Sequence, residues 1–331
     1  MTLSVAMCTY NGSKFINDQL NSIIEQSRKV DEIIIFDDCS TDTTVQIIAE
    51  YIEKYPGLIQ LFRNEKNLKS TKNFENAIAK CTGDYIFLAD QDDVWDFHKV
   101  EKIIAKFEQN ESLEGIFTNG KLINDFNETI PNTDMWDSFY FFEKNLDKPV
   151  DLFCLLKHHA NMVTGATLCI KKTIVDLILP FPDLTKKKFY HDEWIALILA
   201  SRNSLDYINE HLISYRIHSS QQIGVNRQKL DDVIVPHPHL IYTLQITHKY
   251  FPNSFTQCRR ISRIYYNCYK KFNTLAILYN NKKSPIDLSA IAEENLALHK
   301  KAEKKLRENS WYRYKLRKVS KIIFRKKKYY K

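Results

Sequence analysis

Short apolar runs alternate with segments of helical apolar spacing over the first ninety residues, and this order constrains the fold more than any other feature of the chain. Four apolar runs predict strands, at 2–8, 30–36, 58–62 and 84–89. Helical spacing predicts three intervening helices, which begin near residues 14, 41 and 73. Strands that alternate with helices form a mostly parallel sheet with helices on both faces. We therefore predict an α/β fold.

The alternation continues less regularly to about residue 235. Further elements are predicted as helices at 99–110 and 192–201 and as strands at 115–119, 164–170 and 205–215, with an irregular aromatic segment at 124–150. After Pro236 a tyrosine-rich apolar stripe predicts helices, with members at Tyr242, Tyr250, Tyr265, Tyr266 and Tyr269. We predict three regions: an α/β domain at 1–235, a helical region at 236–308 and a basic aromatic tail at 309–331.

Polar residues follow three of the predicted strands. Tyr10 comes after the first strand, Asp38 after the second, and the acidic run 90–93 after the fourth. In open parallel sheets, ligands bind beyond the carboxyl ends of the strands. These three groups are therefore expected to meet in one binding site at one edge of the sheet.

The acidic run places Asp90, Asp92 and Asp93 within four positions. Like charges that close are stabilised by a cation or by hydrogen-bond donors, or one carboxyl group is protonated. Clusters of oxygen ligands suit Mg2+ or Mn2+, and these cations usually hold substrate phosphates as well. The alternative is an acidic turn without a ligand, which the other polar groups at the same edge disfavour.

Composition and cysteine usage place the chain among globular proteins of a reducing compartment. Hydrophobic residues make up 44% and charged residues 27% of the sequence. No apolar stretch approaches the roughly 18 residues that cross a bilayer, and the apolar start at 1–8 is too short for a signal peptide. Seven scattered cysteines without a C-x-x-C pair are typical of reduced thiols. We therefore expect a cytoplasmic protein.

The net charge of +8 is concentrated at the end of the chain. Residues 300–331 contain 15 Lys and Arg against two Glu, so the rest of the chain is mildly acidic. Basic residues mixed with Trp, Tyr and Phe favour peripheral binding to an anionic membrane surface, here the inner face of the cell membrane. The alternatives are a tail that only aids solubility and an arm that binds nucleic acid. We favour the membrane and expect no nucleic acid partner.

The turn after the first strand excludes two common nucleotide-binding motifs. It reads TYNGS at 9–13, which is neither the glycine-rich turn of a dinucleotide-binding fold nor a P-loop. A nucleotide base would instead stack on Tyr10, and uracil or thymine would donate its imide N–H to Asp38. The alternative for Asp38 is a helix cap.

Five ordered motifs make the chain resemble a family 2 glycosyltransferase with the GT-A fold. They are SVAMCTYNG at 4–12, DDCSTD at 37–42, DQDDVW at 90–95, HDEW at 191–194 and YRIH at 215–218. The resemblance covers roughly residues 1–228 and implies a Rossmann-like, mostly parallel sheet, followed here by a helical C-terminal region. The third and fifth motifs are similar to those of bacterial rhamnosyltransferase-like members, which build surface polysaccharides.

The resemblance implies how the donor is bound. Asp92 matches the position that holds the divalent cation, Mn2+ or Mg2+, with Asp90 facing the ribose or the metal and Asp93 as a supporting acid. Asp38 matches the acid that binds the base. The residues expected at the nucleotide are Thr9, Tyr10, Asn11, Asp38, Lys72, Asp90 and Arg216. A solvated helix lysine is the alternative for Lys72.

Two late residues extend the donor side. The guanidinium fork of Arg216 suits the oxygens of a diphosphate, which it can bind in a bidentate manner. His218 lies where the family carries a histidine, and an imidazole there would complete the metal shell. A structural histidine is the alternative for His218.

The resemblance also implies the catalytic base and the acceptor side. Asp192 matches the carboxylate that takes the proton from the acceptor hydroxyl as that hydroxyl attacks the anomeric carbon from the opposite face. A helix cap is a compatible alternative. The residues expected at the acceptor are Trp95, Gly165, His191, Glu193 and Trp194. His191 stands where the family often has an acid, and Trp95 is alternatively a core residue.

These expectations combine into one function. We predict an inverting, metal-dependent hexosyl- or rhamnosyltransferase that uses a UDP- or dTDP-sugar, dTDP-rhamnose among them. The acceptor would be a lipid-linked or growing surface polysaccharide of the cell envelope. The alternative is a catalytically inactive sugar-nucleotide-binding or scaffold subunit of a polysaccharide assembly complex. The C-terminal helices offer a surface on which the chain could form an oligomer.

Overall fold

The computed structural model describes residues 1–138, 141, 149–158, 161–182, 189–218, 255–279 and 284–309. The chain divides into two compact units: Met1–Phe142 with Asn161–Pro236, and Glu143–Ala160 with His237–Lys331. Residues 143–160 thus group with the C-terminal residues, a feature that the division into three consecutive regions does not contain. The predicted basic tail lies outside the described residues.

The strands that the structure describes all belong to the first unit. They are β1 (Leu3–Thr9), β2 (Glu32–Asp37), β3 (Ile59–Arg63), β4 (Tyr85–Asp90), β5 (Val94–Trp95), β6 (Gly115–Ile123), β7 (Thr129–Asp134), β8 (Cys169–Lys171) and β9 (Leu205–Arg216). The described helices are α1 (Ile16–Ile24), α2 (Thr44–Lys54), α3 (Lys69–Lys80), α4 (Lys99–Gln109), α5 (Met135–Ser138), α6 (Leu152–His158), α7 (Val175–Ile178), α8 (His191–Ser201), α9 (Phe255–Tyr279) and α10 (Leu288–Asn309). Of these, α6, α9 and α10 belong to the second unit.

The strands form one sheet in the order β3-β2-β1-β4-β8-β6-β9-β5, with β7 paired to β6. β1 is parallel to β2 and to β4, and β2 is parallel to β3. β8 runs antiparallel to its neighbours β4 and β6, whereas β6 and β9 are parallel. The predicted α/β class is confirmed, and the four strands of the first ninety residues form a continuous parallel part of the sheet.

Burial of the central strands follows from their composition. Nearly every residue of β1 and every residue of β2 is buried. Because successive side chains of a strand point to opposite faces, continuous burial means that both faces of this part of the sheet are covered. Helix α1 contributes to that cover with Ile16, Leu20 and Ile23, which lie on one helical face.

The strand order reverses beside β1. β2 and β3 follow β1 on one side, and the chain then returns to place β4 on the other side. The crevice beyond the carboxyl ends of strands at such a switch point is the usual ligand site of an open α/β sheet. The register pairs Cys8 with Asp90 and Thr9 with Asp37, so the residues after three strands meet at one edge.

The predicted strand at 164–170 is wrong over most of its length. Residues Gly165–Thr167 form a 3-10 helix, because the amides of Thr167 and Leu168 bond back to the carbonyls of Thr164 and Gly165. Only the last part of the segment enters the sheet, as β8. The sequence also left two strands unpredicted, since β5 has two residues and β7 is polar and largely exposed.

Helices α9 and α10 of the second unit pack against each other through buried Ile261, Tyr265 and Ala302. Helix α6 joins them, since the ring of His158 packs edge-on against Tyr265 with the centroids 5.7 Å apart. The predicted helical region is thus confirmed for the described residues. The tyrosine stripe is divided, because Tyr266 is exposed and Tyr242 and Tyr250 lie outside the described residues. None of the described helices has the length and apolar character needed to cross a membrane.

Candidate active site

A cleft of about 320 Å³ opens beyond the carboxyl ends of β1 and β4, at the switch point of the sheet. It brings together residues from all five sequence motifs. The predicted residues that line it are Thr9, Tyr10, Asn11, Asp38, Asp90, Asp92, Gly165, His191, Asp192 and His218. Donor-side and acceptor-side residues of the prediction therefore share one cleft.

Asp90 ends β4 at the floor of the cleft. Burial, together with the negative charges of Asp92 and Asp192, raises the pKa of Asp90 to about 7. Asp192 lies in a helix about a hundred residues later, yet its charge acts on Asp90. The two carboxylates that the sequence predicts for metal binding and for proton transfer therefore face a common space.

Asp92 and His218 form a direct pair at one side of the cleft. Nε2 of His218 and Oδ2 of Asp92 are hydrogen-bonded over 2.8 Å, with the imidazole N–H as donor to the carboxylate. The His218 ring also packs on Phe15, with the centroids 5.0 Å apart. The late histidine is thus held beside the acidic cluster by a carboxylate and an aromatic ring.

Asp93 is buried beneath its two neighbours and does not line the cleft. Its Oδ1 accepts the backbone N–H of Arg216 over 3.0 Å, and its Oδ2 has no partner among the described residues. Burial and the charges of Asp92 and Asp90 raise the pKa of Asp93 well above its usual range. This carboxyl group therefore supports the turn after β4 and ties it to the end of β9.

The turn after β1 is held in place by side chains of the neighbouring loops. Gln91 accepts the amide N–H of Tyr10 over 2.8 Å and donates to the carbonyl of Tyr10 over 3.0 Å. Asn11 has a positive φ of 49°, and its amide donates to Ser40 Oγ over 2.9 Å. Thr9 Oγ1 donates to buried Asp37 over 2.9 Å. The Tyr10 ring is left partly exposed at the cleft.

Asp38 is buried at the cleft and already accepts three hydrogen bonds. Its Oδ1 accepts from Asn64 Nδ2 over 2.8 Å and from the amide of Leu68 over 2.7 Å, and its Oδ2 accepts from the amide of Lys69 over 2.9 Å. A carboxylate offers about four acceptor positions, so one remains for a ligand. Asp38 thus bonds to the first amides of α3 while it lines the cleft, which agrees with the helix cap that the sequence left as the alternative.

Asp192 lies in the first turn of α8, about a hundred residues after the acidic run, and lines the same cleft. Its Oδ2 accepts the amide N–H of Gly165 over 3.2 Å, and its Oδ1 accepts the amide of Glu193 over 2.6 Å. The carboxylate thus bonds to two backbone amides and also lines the cleft, a position compatible with its predicted role as the base. Gly165 is required here, since a Cβ would lie 2.8 Å from His191 Nε2.

His191 is a buried, neutral histidine at the cleft. Burial lowers the pKa of His191 to about 3, and neither ring nitrogen has a hydrogen-bond partner among the described residues. The ring stacks on Phe74, with the centroids 4.2 Å apart and the planes 24° from parallel. Two unsatisfied polar atoms in a ring that lines a cleft indicate a hydrogen-bonding position for a ligand or water.

Residues 4–162 match the family model described as Glycosyl transferase family 2. These residues, just under half of the chain, form a glycosyl transferase family 2 domain. The match includes the turn after β1, Asp38 and the acidic run, whereas Asp192 and His218 lie beyond it.

Two relatives of the family 2 domain extend the similarity past residue 162. An uncharacterized glycosyltransferase of Nostoc sp., alr2836, is 25% identical over 224 residues, 66% of each chain. The dTDP-rhamnosyl transferase RfbG of Shigella flexneri is 28% identical over 235 residues, 66% of this chain and 74% of that protein. The chain thus spans just under two thirds of the first relative.

One solved structure supports the fold assignment. The mannosyltransferase PcManGT of Pyrobaculum calidifontis, in complex with GDP-Man and Mn2+, superposes with a TM-score of 0.50 over 93% of this chain and 88% of that chain, at 14% identity. At this identity the likeness concerns the fold alone. The family 2 domain has the GT-A fold that the sequence predicts.

Arg216 does not reach the cleft of the family 2 domain, so its predicted contact with the diphosphate is wrong for this structure. The side chain is completely buried. Its guanidinium donates to the carbonyls of Asp92 and Asn124 over 2.7 and 3.1 Å and to the carboxylate of Asp18 over 3.1 Å. It also lies over the Phe15 ring, 4.4 Å from the centroid. These contacts occupy the guanidinium group, so Arg216 acts as a structural clamp that holds the acidic run from the core side.

Three residues that were predicted at the acceptor lie away from the cleft. Trp95 is buried in the core against Phe87, and buried Trp194 donates its indole N–H to the carbonyl of Ile178 over 3.0 Å. Glu193 is buried behind the cleft, since it follows Asp192 in the same helical turn. The predicted acceptor contacts of these three residues are therefore wrong for this structure.

Lys72 does not line the cleft in this structure, and its contact with the nucleotide stays a prediction. Lys72 lies on α3, is half exposed and pairs with Glu75 one turn later. Its position on the helix surface matches the alternative that the sequence left open, a solvated helix lysine. The neighbouring face of α3 supplies Ser70, Asn73 and Phe74 to the cleft instead.

Sequence reasoning missed Lys99, a completely buried lysine beneath the site. Its Nζ donates to the carbonyl of Ala166 over 2.7 Å and lies 4.0 Å from the centroid of the Trp95 ring. Burial lowers the pKa of Lys99 to about 7, while its charge favours the ionised forms of Asp90 and Asp93. One signal was available, because a lysine in the first turn of a helix opposes the helix dipole.

The residues present fit part of a divalent-cation site. Oδ2 of Asp92 and Nε2 of His218 lie 2.8 Å apart and would give the cation an oxygen and a nitrogen ligand in place of the proton that they share, and the nearby carboxyl group of Asp90 would give a further oxygen. The described residues contain no group of three or more His, Cys, Asp and Glu arranged to hold a metal by themselves. This set suits Mn2+ or Mg2+ that takes its other ligands from phosphate and water.

Replacing Arg216 by Met tests whether this residue is a structural clamp. The change keeps the apolar length of the side chain but removes all guanidinium hydrogen bonds, so we expect a loss of about 3 kcal/mol in stability. The midpoint of urea unfolding, followed by far-UV circular dichroism, measures it. Arg202→Met is the control, because Arg202 pairs with Glu114 at the surface and should cost under about 1 kcal/mol. An unchanged midpoint in Arg216→Met together with weakened nucleotide binding would restore the phosphate-binding hypothesis.

Proposed function

We propose that the chain is an inverting glycosyltransferase that moves a sugar from a nucleoside diphosphate donor to an acceptor hydroxyl, with a divalent cation as cofactor. The observation that carries this proposal is the meeting of Asp92, His218 and Asp192 in one cleft. A single displacement at an anomeric carbon needs ligands for a cation at the leaving diphosphate and a separate carboxylate at the attacking hydroxyl. Family membership supports the same reaction class.

In the proposed reaction, Asp192 receives the proton of the acceptor hydroxyl. The hydroxyl oxygen forms a bond to the anomeric carbon as the bond from that carbon to the diphosphate oxygen breaks, which inverts the configuration. The amide of Gly165 donates to Oδ2 of Asp192 and holds the carboxylate at the cleft wall. Bound at Asp92, Asp90 and His218, the cation would supply Lewis-acid stabilisation of the departing diphosphate.

The donor that we propose carries uracil or thymine. Asp38 has one acceptor position left after its three internal hydrogen bonds, and the imide N–H of either base can use it. Tyr10, partly exposed beside it, provides a ring on which a planar base can stack. The similarity to a relative named as a dTDP-rhamnosyl transferase favours dTDP-rhamnose among the candidate donors.

The acceptor that we propose is a lipid-linked or growing surface polysaccharide. His191 supports a polar acceptor, because its unsatisfied ring nitrogens can bond to sugar hydroxyls in either tautomer. A lipid-linked acceptor implies work at the inner face of the cell membrane by a cytoplasmic protein. The basic tail at 309–331, outside the described residues, is proposed to contribute to that location through its charge.

A donor panel tests the reaction class and identifies the sugar. UDP-, dTDP- and GDP-sugars would be incubated with the full chain and Mn2+, and released nucleoside diphosphate would be measured. Faster release from dTDP-rhamnose than from the other donors supports the proposal. Nucleotide binding without release from any donor, with lipid-linked oligosaccharide supplied as acceptor, would favour the alternative of an inactive binding subunit.

Asp192→Asn tests the proposed base. The substitution preserves size but removes the proton acceptor, so we expect kcat to fall by about a hundred- to ten-thousandfold. Nucleotide affinity, measured by calorimetry with Mn2+, should stay unchanged. The matched control is Asp176→Asn, since Asp176 is an exposed carboxylate in the first turn of α7. Retained turnover in Asp192→Asn would remove this residue from the mechanism.

Asp92→Asn tests the proposed cation site with a readout that does not need turnover. We expect Mn2+-dependent nucleotide affinity to fall by at least about tenfold, because even the partners of metal ligands contribute that much. Calorimetric titrations of nucleotide with Mn2+ and with EDTA measure it. Asp206→Asn on β9, where Asp206 pairs with Lys106 at the surface, is the control. Equal nucleotide affinity with Mn2+ and with EDTA in the parent chain would contradict the cation's part in binding.

A further inference from the structure

Helix α9 has an unusual charge for a surface helix. Its 25 residues, Phe255–Tyr279, include five Arg and Lys and no Asp or Glu. Helices at the surface of globular proteins commonly mix both signs, which stabilises them through pairs one turn apart. An uninterrupted positive charge on a well-packed helix indicates an anionic partner.

The packing of α9 against α10 determines which face of the helix stays outside. Ile261 and Tyr265 are buried against Ala302 of α10, and Cys258 is buried against Leu306. Ser262 is buried as well and donates to Glu303 over 2.6 Å. The other face of α9 is therefore left free of the helical pair.

The exposed face carries basic and apolar residues in one line. Arg259, Arg263, Tyr266, Lys270 and Ile277 are separated by four, three, four and seven positions, so they lie within about a 60° arc of the helix. Over these positions the line is about 27 Å long at 1.5 Å per residue. We call this line the α9 stripe, and Arg260 and Leu278 flank it.

The basic residues of the stripe are available to a partner. Arg259, Arg263 and Lys270 are exposed, and no carboxylate among the described residues pairs with them. The ammonium of Lys270 lies 5.1 Å from the centroid of the Tyr266 ring, which keeps an aromatic ring and a cation together.

The apolar residues of α9 distinguish one class of anionic partner from the others. Ile277 is 66% exposed, Leu278 57% and Tyr266 42%, and they are among the most exposed large hydrophobic residues of the described chain. A soluble polyanion would satisfy the charges and leave two aliphatic side chains in water. A bilayer interface takes both kinds of residue, because anionic headgroups bind the cations and the acyl boundary takes the aliphatic groups.

We propose that the α9 stripe binds the surface of an anionic lipid bilayer with the helix axis in the membrane plane. The inference deepens the proposed function and rests on it for the lipid-linked acceptor that would make membrane contact useful. The contact itself needs neither the cleft nor catalysis. It is also separate from the basic tail, so two weak attachments would act together, as stable peripheral anchoring requires.

A charge variant tests the stripe in the full chain. Arg259→Gln/Arg263→Gln/Lys270→Gln keeps helix-forming residues and removes three charges. Co-sedimentation with vesicles of phosphatidylglycerol and phosphatidylcholine in equal parts measures the partition coefficient. We expect it to fall roughly a hundredfold, since each basic residue near an anionic surface contributes about 1 kcal/mol. Vesicles of phosphatidylcholine alone should bind little of either protein.

A matched control removes the same charge from α10. Lys300, Lys301 and Lys304 are exposed on that helix, and Lys300→Gln/Lys301→Gln/Lys304→Gln changes the net charge equally. We expect a much smaller loss of vesicle binding. An equal loss in the control, or no loss in the α9 variant, would overturn the assignment of the stripe.

A second variant tests the apolar part of the surface. Ile277→Gln/Leu278→Gln should weaken binding to the anionic vesicles, and the difference from the parent should persist in high salt, where charge attraction is screened. Phe126→Gln is the control, because Phe126 is 81% exposed in the first unit. Unchanged vesicle binding in the α9 variant would overturn the bilayer proposal and indicate a soluble polyanion.

Nucleotide binding separates failure of this inference from failure of the proposed function. All variants are expected to bind nucleotide with Mn2+ as the parent does, since α9 contributes no residue to the cleft. Vesicle binding that depends on the stripe, in a protein that releases no nucleoside diphosphate from any donor, would refute the proposed transferase and leave the membrane surface standing. Donor turnover with stripe-independent vesicle binding would refute only the inference.

Discussion

The confinement of three carboxyl groups at the end of β4 is the constraint on which the rest of the site depends. Charges that close cannot all be buried and ionised without compensation. The fold supplies this compensation from the core side through Lys99 and the fully buried Arg216, which bonds to the carbonyl of Asp92. Toward the cleft, His218 donates to Asp92. The late strand β9 and the start of α4 are thus tied to the acidic run by electrostatics as well as by packing.

The three carboxyl groups differ as a result in their position and in their protonation. Asp93 turns inward, and burial favours its protonated form. Asp90 and Asp92 face the cleft, where a cation can join them. In the proposed reaction, proton transfer belongs to Asp192, whose carboxylate lines the same cleft and accepts the amide N–H of Gly165 in the 3-10 turn. A site of this kind separates binding of the leaving group from activation of the acceptor.

The prediction that Asp38 and the acidic run lie at one edge of the sheet is confirmed, because it depended on local patterns. Asp38 and Asp92 follow buried strands, and strands in parallel register bring such residues to one edge. The predictions for Arg216 and Trp95 depend on residue type, since a guanidinium suits a diphosphate and an indole suits a sugar. Both are buried, since a guanidinium and an indole serve equally well as packing and hydrogen-bonding groups inside a core. Residue type near a motif indicates chemistry but does not determine which way a side chain points.

The sequence by itself determined the α/β class, the positions of the first four strands along the chain and the polar residues that meet at one edge of the sheet, because each follows from periodicity and from where an apolar run ends. Only the tertiary structure decided which charged side chains line the cleft and which are buried supports. It buried Lys99 and Arg216 and left Asp192 in the cleft. The physical reason is that desolvation depends on contacts between residues far apart in the chain, 67 positions for Lys99 and Ala166 and 124 for Arg216 and Asp92, which no local pattern contains.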